Sequence, residues 1–298
     1  MRMCGLAGMM TASHAPRVRW EFERLLRASE IRGVDATGVL AIQQNGTHHL
    51  IKTPGAARKF LKRNDWNGFW KNTKHAPSIV IGHTRHGTQG DPQIAANNHP
   101  IQVGRVIGAH NGIISNDEEL RDLAQDRYQL TGRGTVDSEA PLLVLAGHLG
   151  RDAIMTPEIL RMIWESVAGW FTYTLIDEKD PTTVWFINGD GGNLVIGSHH
   201  ASQTIYWAST PEILKQAEID EYIVVPNGVI FRIGLSTLGW LTLAGNLKRI
   251  RCFQFTPAFD EIAAWEDEGY GDAAWYAASE EEERRLRGRF TQKISYRS

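Results

Sequence analysis

The 298-residue sequence contains only two cysteines, Cys4 and Cys252. Two thiols cannot form a disulfide framework, which indicates a reducing compartment and predicts a cytoplasmic protein. No apolar run is long enough to span a bilayer, so we expect no membrane anchor. The formal net charge of −2 provides no overall basic field, which argues against direct binding to nucleic acid or to an anionic membrane.

Short runs rich in Val and Ile predict strands, and apolar residues at helical spacing predict helices. The predicted strands are residues 37–43, 78–84, 105–110, 169–176, 184–187, 194–197, 204–208, 222–225 and 229–233, and a buried strand within residues 1–10. The predicted helices are residues 18–28, 117–125, 138–149 and 157–167, the second with Asn116 as its N-cap. Because the strands are grouped rather than alternating with helices, the pattern favours an α+β fold of antiparallel sheets covered by helices.

Cys4 lies among small residues near the start of the chain. An isolated cysteine there is usually a small buried hydrophobe. A thiol needs a base to become a good nucleophile, and a cysteine freed as the N-terminal residue carries that base in its own α-amine, whose ordinary pKa is about 7.7–8.0. For Cys4 this requires removal of Met1-Arg2-Met3, or translation from Met3 followed by loss of that methionine.

Two glycine-rich segments combine turns with charged side chains. Residues 32–38 alone predict a turn between a helix and a strand, with Gly33 as a helix C-cap and Gly38 at a close backbone approach. Residues 82–90 predict a strand that runs into a polar loop. Arg85 in that loop is suited either to gripping a carboxylate by a two-pronged hydrogen bond or to a structural ion pair.

A third such segment, residues 110–116, contains the dipeptide Asn111-Gly112. As a structural element it is a tight turn between a strand and a helix. As a chemical element, the Asn side-chain amide and the following backbone N–H can both point at one oxygen. That pair of donors is the composition of an oxyanion hole, whose donors are typically worth about 2.7–4 kcal/mol each in a transition state.

In combination and in this order, the segments resemble the class II glutamine amidotransferases, whose glutaminase domains use an N-terminal nucleophile. The resemblance is greatest to the glutaminase domain of glucosamine-6-phosphate synthases and covers about the first three-quarters of the chain. The matching motifs are Cys4-Gly5, Arg32-Gly33-x-Asp35, Gly82-His83-Thr84-Arg85, Asn98-x-Pro100, His110-Asn111-Gly112-Ile113 and Asp137-Ser138-Glu139, with weaker matches at Leu194–Gly197 and Ala208-Ser209.

The resemblance implies a glutaminase mechanism in which Cys4 attacks the side-chain amide of L-glutamine. Its α-amine takes the thiol proton and later delivers one to the departing ammonia. The oxyanion lies between the Asn111 side chain and the Gly112 N–H, and water then hydrolyses a glutamyl thioester. No metal or other cofactor is implied.

Substrate binding is implied at three further residues. Arg85 holds the α-carboxylate of glutamine with Thr88 nearby, and Asp137 holds the α-amine. A zwitterionic head group needs one cation and one anion, which Arg85 and Asp137 supply.

The resemblance also implies a four-layer αββα sandwich with two antiparallel sheets between helical layers. We expect a glutaminase domain over residues 4–234 and a C-terminal extension over residues 235–298 that is a possible docking segment for a partner. The extension ends in a predicted charged helix with a capping box of Ser279 and Glu282. It is too short for a synthase domain, so we expect ammonia to be delivered to a separate synthase protein.

The loop after Arg85 departs from the usual motif. His86 stands where an aromatic residue is more usual, and Gln89 stands where a histidine is more usual. We expect the substitution at His86 to alter the cover over bound glutamine or the coupling to an acceptor site.

Three alternatives stay open from the sequence. A metal hydrolase could use His83, His86, His99 and His110, although no familiar zinc-ligand spacing occurs. The chain could be an amidohydrolase that acts alone on a related γ-glutamyl or amide substrate. It could also be a degenerate glutaminase that serves as a binding subunit.

Overall fold

The computed structural model describes residues 4–12, 15–43, 45–72, 77–243 and 245–258. The predicted leader Met1-Arg2-Met3 and the predicted helix around Ser279 lie outside the described residues. The strands are β1 (Gly5–Thr11), β2 (Ala36–Ile42), β3 (His48–Pro54), β4 (Ile79–Arg85), β5 (Ile101–Val103), β6 (Val106–Ile114), β7 (Gly169–Asp177), β8 (Asp180–Asn188), β9 (Val195–His199), β10 (Thr204–Ala208), β11 (Tyr222–Val224), β12 (Val229–Gly234) and β13 (Phe253–Gln254). The α-helices are α1 (Ala15–Ala28), α2 (Ala57–Phe60), α3 (Asn64–Asn72), α4 (Asp117–Tyr128), α5 (Ala140–Leu149), α6 (Pro157–Trp164), α7 (Pro211–Gln216) and α8 (Leu238–Leu241).

Within these residues the strands form two antiparallel sheets. The first has the order β11-β9-β10-β1-β4-β2-β3, and the second has the order β13-β12-β8-β7-β6-β5. β1 lies at the centre of the first sheet, where Ala7 pairs with Gly82 of β4 and with Ala208 of β10. The chain segment that follows Cys4 is therefore fixed on both sides by its neighbours.

Three hydrophobic clusters show that the sheets and helices form four layers. One cluster lies between the two sheets and includes Leu6, Ile81 and Phe186. A second lies between the first sheet and helices α1, α2, α3 and α7, and a third lies between the second sheet and helices α4, α5 and α6. The prediction of a four-layer αββα sandwich is confirmed.

The alternation along β1 shows why its sequence is almost continuously apolar. Leu6 and Met10 face the core between the sheets, whereas Ala7 and Met9 face the layer of α1 and α7. A strand covered on both faces has no polar side, and fully burying one such large side chain contributes about 1.5–3 kcal/mol. The prediction of a buried strand at the start of the chain is confirmed. The predicted strands and helices that followed it in the sequence are also present.

Several details differ from the sequence-based expectations. The sequence did not predict the short strands β5 and β13 or the helices α2, α3, α7 and α8. The half-exposed strand β3 was not predicted, because His48, His49 and Lys52 at the edge of the sheet hide the apolar pattern. Asn116 does precede α4, but its side chain makes no capping hydrogen bond. It donates instead to the carbonyl oxygen of Ser166 and accepts from the N–H of Ala168, because these groups lie beside it.

Residues 235–258 pack on the sandwich. Leu238, Leu241 and Leu247 belong to the cluster between the sheets, and β13 pairs with β12. The boundary after residue 234 and the partner-docking role of the extension therefore stay predictions. Among the described helices, none has the length and apolarity that crossing a membrane requires.

Candidate active site

Cys4 lies immediately before β1, and its thiol contacts the peptide groups of His86. The Sγ atom donates to the His86 carbonyl oxygen at 3.3 Å and accepts from the His86 N–H at 3.3 Å. Burial raises the pKa of the Cys4 thiol to about 11, although the His86 N–H and the charge of Arg85 act in the opposite direction. The thiol is therefore protonated at neutral pH, and a base must remove its proton before Sγ can attack.

The segment after α1 joins Cys4 to the loop that follows β4. Arg32 Nε donates to the Cys4 carbonyl oxygen at 2.9 Å. Three residues later, the Asp35 N–H donates to the Arg85 carbonyl oxygen at 2.9 Å. The two charged residues of this motif therefore fix the backbone on both sides of the thiol.

Gly33, between those two residues, is required by a close backbone approach. A Cβ atom there would lie 2.5 Å from the Arg85 carbonyl oxygen. The C-cap role predicted for Gly33 is wrong, because a short 3-10 turn at Ser29–Ile31 separates it from the end of α1. The close approach predicted at Gly38 is confirmed, since a Cβ atom there would collide with the His99 carbonyl oxygen.

Arg85, the last residue of β4, is buried and organises the loop of residues 86–90. Its Nη1 donates to Asn98 Oδ1 at 2.9 Å, and its Nη2 donates to the carbonyl oxygens of Gln89 and of Gly90, the latter at 2.7 Å. Burial lowers the pKa of Arg85, while nearby Cys4 and Asp137 oppose that shift. Because a guanidinium stays charged in proteins, Arg85 places a buried cation beside the thiol.

The loop itself carries Thr88, which is exposed. Asp35 fixes the start of this loop: its Oδ2 accepts from the Gly87 N–H at 2.9 Å and lies 3.4 Å from His86 Nδ1. Gln89 Nε2 is 3.4 Å from a carboxylate oxygen of Asp117 in the first turn of α4. Both unusual loop residues, His86 and Gln89, thus contact carboxylates.

The free edge of β6 faces the same site. β5 pairs with β6 only as far as Gly108, so the remaining edge has no neighbouring strand among the described residues. At that edge the Ile114 N–H donates to Asp137 Oδ2 at 2.8 Å. Because the N–H groups of alternate residues in a strand point the same way, the Gly112 N–H is directed to this edge as well.

Asn111 and Gly112 differ in where they lie. Gly112 has φ +134°, and a Cβ atom there would collide with the Trp170 carbonyl oxygen, so glycine is required. Asn111 is buried on the face between the sheets, and its Nδ2 donates to Ser209 Oγ at 2.5 Å. The dipeptide is part of a strand rather than the tight turn that the sequence also allowed.

Asp137 lies in the turn before α5 and is buried. Besides the Ile114 N–H, its carboxylate accepts from the Ser138 N–H at 2.7 Å and from Ser138 Oγ at 3.0 Å. Burial raises the pKa of Asp137, although these hydrogen bonds favour the charged form. The carboxylate is thereby held in one orientation by three donors.

One small cleft, with a cavity volume of about 20 Å³, brings most of the predicted site residues together. The predicted residues that line it are Cys4, Arg85, Thr88, Gly112 and Asp137. Asn111 does not line it and lies against Ser209 instead. The same cleft is also lined by His86, Gln89, His99, His110, Val136 and Ser138.

A larger groove, with a volume of about 460 Å³, lies beside β11 and contains none of the predicted site residues. It is lined by apolar residues of β11 and by Cys252, whose thiol pKa is raised by burial. Its size does not make it the reactive site, because its one charged lining residue, Lys248, has no carboxylate beside it in the groove, whereas the cleft at Cys4 combines Arg85 with Asp137.

Three of the four histidines considered as zinc ligands come together. The ring centroids of His83 and His99 are 4.3 Å apart, and those of His99 and His110 are 6.2 Å apart. Burial lowers the pKa of His83 and of His110 to about 3 and that of His99 well below its usual value, so all three rings are neutral. Over the residues that the structure describes, no group of three or more His, Cys, Asp or Glu side chains is placed to hold a metal ion.

The sequence did not indicate two serines at the site. Ser138 Oγ links Asp137 to His110, whose Nδ1 lies 2.7 Å from it. Ser209 bonds to Asn111. In the sequence, Ser138 stands out only as the middle residue of the motif Asp137-Ser138-Glu139, and Ser209 only as part of the weak match at Ala208-Ser209. Neither match predicts what the serine does.

Two antiparallel sheets between helical layers, with a cysteine at the start of a central strand, define the N-terminal-nucleophile hydrolase fold. This fold is also found in solved structures. The chain superposes on the glutamine phosphoribosylpyrophosphate amidotransferase of B. subtilis with a TM-score of 0.61 and 20% identity, covering 78% of this chain and 47% of that one. A glutamine aminotransferase class-II domain protein from Silicibacter pomeroyi gives a TM-score of 0.53 and 15% identity, covering 85% of this chain and 100% of that one.

The chain is also similar in sequence to proteins of known class. Glutamine–fructose-6-phosphate aminotransferase (isomerizing) of Staphylococcus epidermidis is 26% identical over an alignment of 239 residues that covers 76% of this chain and 37% of that protein. The aminotransferase of the same name from Vibrio parahaemolyticus is 29% identical over 195 residues, which are 65% of this chain and 30% of that protein. No protein-family model matches the chain.

The resemblance to the class II glutamine amidotransferases is thus confirmed, and the homologues are enzymes. The chain spans about a third of the length of the curated relatives it matches.

Proposed function

We propose that this protein hydrolyses L-glutamine to glutamate and ammonia with Cys4 as the nucleophile. The observation that carries the proposal is the cleft, where one thiol, one buried cation, one buried carboxylate and a free backbone N–H lie together. A zwitterionic amino acid is complementary to Arg85 and Asp137. Its side-chain amide would then extend toward Cys4 and Gly112.

The proposed reaction follows from these groups. Cys4 Sγ bonds to the amide carbon, and the electron pair of the C=O bond moves to the oxygen, which the Gly112 N–H and the Asn111 amide stabilise. The C–N bond then breaks and ammonia leaves with the transferred proton. Water attacks the resulting glutamyl thioester, which releases glutamate and restores the thiol.

The proton acceptor is proposed to be the α-amine of Cys4 itself. The raised pKa of the thiol, about 11, supports the need for such a base. An α-amine, whose ordinary pKa is about 7.7–8.0, is partly neutral near physiological pH and can accept the proton. This step requires Cys4 to be the first residue of the active form.

We further propose that the ammonia passes to a separate synthase protein. The relatives of known name combine a matching segment with a further length of chain that this sequence does not match. In this proposal a second protein binds the acceptor substrate. Glutamate release that increases when one purified partner is added would support this part of the proposal.

The first experiment is glutamate release from L-glutamine by protein made to begin at Cys4, beside the full-length chain. We expect activity only in the form that begins at Cys4. The matched control is the same form with its α-amine acetylated, which leaves the thiol intact and should be inactive. Full activity after acetylation would exclude the α-amine as the base. Inactivity of both forms, alone and with candidate synthases, would contradict the glutaminase assignment.

A further inference from the structure

Ser209 lies where three distant parts of the chain meet. It follows β10 directly and is only 2% exposed. Its Oγ accepts a hydrogen bond from the Leu6 N–H at 2.7 Å and another from Asn111 Nδ2 at 2.5 Å. Its own N–H donates to the Leu6 carbonyl oxygen at 3.1 Å. One side chain therefore connects the strand that begins beside Cys4 with the side chain of Asn111 in the other sheet.

The hydrogen bond to Ser209 restricts rotation of the Asn111 amide, and the direction of that amide decides whether it can donate to an oxyanion. The terminal torsion of an asparagine side chain is broad, so its amide can rotate unless it is held. An amide nitrogen carries two hydrogens. One of them is committed to Ser209, which fixes the plane of the amide and leaves the second hydrogen in a defined direction.

The same hydroxyl fixes a distance. Leu6 is two residues beyond Cys4, and both polar groups of its peptide backbone bond to Ser209. A movement of Asn111 away from the nucleophile would have to stretch the contact to Ser209 or displace β1. Because β1 is hydrogen-bonded between β4 and β10, it does not move freely.

We propose that Ser209 is a positioning residue that holds the Asn111 amide at a fixed place relative to Cys4, so that its remaining N–H meets the oxyanion. This inference rests on the proposed glutaminase function. Ser209 itself does not line the cleft and is not assigned a contact with glutamine. Its effect is exerted on the transition state, where the negative charge on oxygen develops.

Ser209→Ala removes the hydroxyl acceptor and keeps the backbone bond from residue 209 to the Leu6 carbonyl oxygen. We expect kcat for glutamine hydrolysis to fall by about 10- to 100-fold, less than loss of an oxyanion donor itself. KM should stay within about twofold, because the interaction strengthens only in the transition state. Ser209→Cys, which keeps the size and a weak acceptor, should give an intermediate kcat.

The matched control is Ser198→Ala in β9 of the same sheet. Ser198 is also buried, and its Oγ makes no hydrogen bond to any part of the chain that the structure describes. Its replacement should leave kcat and KM unchanged. Thermal unfolding of each variant shows whether the fold is retained.

A second measurement separates positioning from general disturbance. L-Glutamate γ-semialdehyde can add the Cys4 thiol across its C=O bond: an S–C bond forms, and the thiol proton ends on the aldehyde oxygen, which then occupies the oxyanion position. L-Glutamate binds to the same site without that step. In Ser209→Ala we expect affinity for the aldehyde to fall about tenfold or more while affinity for L-glutamate is unchanged.

The outcomes are distinct. If the protein that begins at Cys4 is active and Ser209→Ala matches it in kcat and aldehyde affinity, positioning by Ser209 is wrong and the glutaminase function stands. Equal weakening of aldehyde and glutamate would show a merely structural role. If the unaltered protein neither hydrolyses glutamine nor binds the aldehyde, the proposed function fails, and this inference fails with it.

Discussion

The cleft around Cys4 has two walls that differ in construction. The nucleophile wall consists of Cys4, Arg85 and Thr88, which belong to the first sheet and its loop. The oxyanion wall, named for the role proposed above, consists of Gly112 and Asp137, which line the cleft, and of Asn111, which lies behind them against Ser209. The first wall includes exposed loop residues, whereas Asn111 and Asp137 on the second are each 5% exposed.

The two walls thus differ in how far their groups are fixed before a substrate binds. The oxyanion wall is organised before any substrate arrives, since its backbone is part of β6 and its carboxylate is held by three donors. Such preorganised donors contribute where charge develops in a transition state. The nucleophile wall ends in a loop that is exposed at Thr88 and is held by hydrogen bonds to Asp35 and Arg85. In the binding mode proposed above, recognition of the glutamine head group is divided between the walls, because the cation Arg85 lies on one and the carboxylate of Asp137 on the other.

The largest expected effect comes from the nucleophile wall. Cys4→Ala in the form that begins at residue 4 should abolish glutamate release, because no other group in the cleft can form the thioester. L-Glutamine binding, measured by calorimetry, should persist, since the head-group contacts remain. Cys252→Ala is the matched control, because that thiol lies in the separate groove beside β11. Retained hydrolysis in Cys4→Ala would remove the nucleophile assignment.

A smaller effect is expected from the oxyanion wall. Asn111→Ala should lower kcat by roughly 10²–10³, the range found when one oxyanion donor is deleted. KM for glutamine should change little, since the ground-state amide oxygen carries no full charge. Steady-state kinetics checks both values. A large rise in KM with kcat unchanged would mean that Asn111 binds glutamine in the ground state. The proposed role of Asn111 in stabilising the oxyanion would then be wrong.

The head-group contacts are expected to affect binding instead. Asp137→Asn should raise KM for L-glutamine by roughly 10- to 100-fold, because a hydrogen bond to a charged group is worth about 1.5–3 kcal/mol. Asn retains one oxygen that can accept from the Ile114 N–H, so β6 keeps that contact. The control is a substrate without the α-amine, 4-carbamoylbutanoate. Its KM should be nearly the same for both proteins, and an equal rise for both substrates would contradict amine binding by Asp137.

Most strands were predictable from the sequence because strands covered on both faces are continuous in apolar residues, as in β1. The order of the layers came from the resemblance to a family and not from these patterns. The positions of Cys4, Arg85, Gly112 and Asp137 followed from short motifs whose order matched a family. Strand β3 did not stand out, since its edge position tolerates charged residues. Local sequence patterns thus predict strands that are buried on both faces better than they predict strands at the edge of a sheet.

Contacts between distant residues could not be predicted in the same way. Ser209 is 98 residues from Asn111 and 203 residues from Leu6. No spacing rule connects such positions, because they meet only when both sheets have formed. Asn116 shows the same limit, since its side chain has a tertiary partner 50 residues away in place of the cap that its local sequence favours.

The smallest expected effect concerns the neutral histidines beside both walls. An unfolded histidine has a pKa of about 6.5, whereas burial lowers the pKa of His83 to about 3. Between these values the unfolded chain binds more protons than the folded protein. The stability contributed by the neutral ring is therefore complete above about pH 6.5 and is lost as the pH falls toward 3.

His83→Gln tests this without removing the contact to β6. His83 Nε2 lies 2.9 Å from the His110 carbonyl oxygen, and a glutamine Nε2 can donate to the same oxygen. Urea denaturation between about pH 6 and pH 4 measures how the free energy of unfolding changes with pH. The variant should lose about 1 kcal/mol per pH unit less than the unaltered protein, because one titrating group is gone. Identical slopes would mean that His83 binds its proton equally in both states, and the ring would then become charged in the folded protein below about pH 6.5.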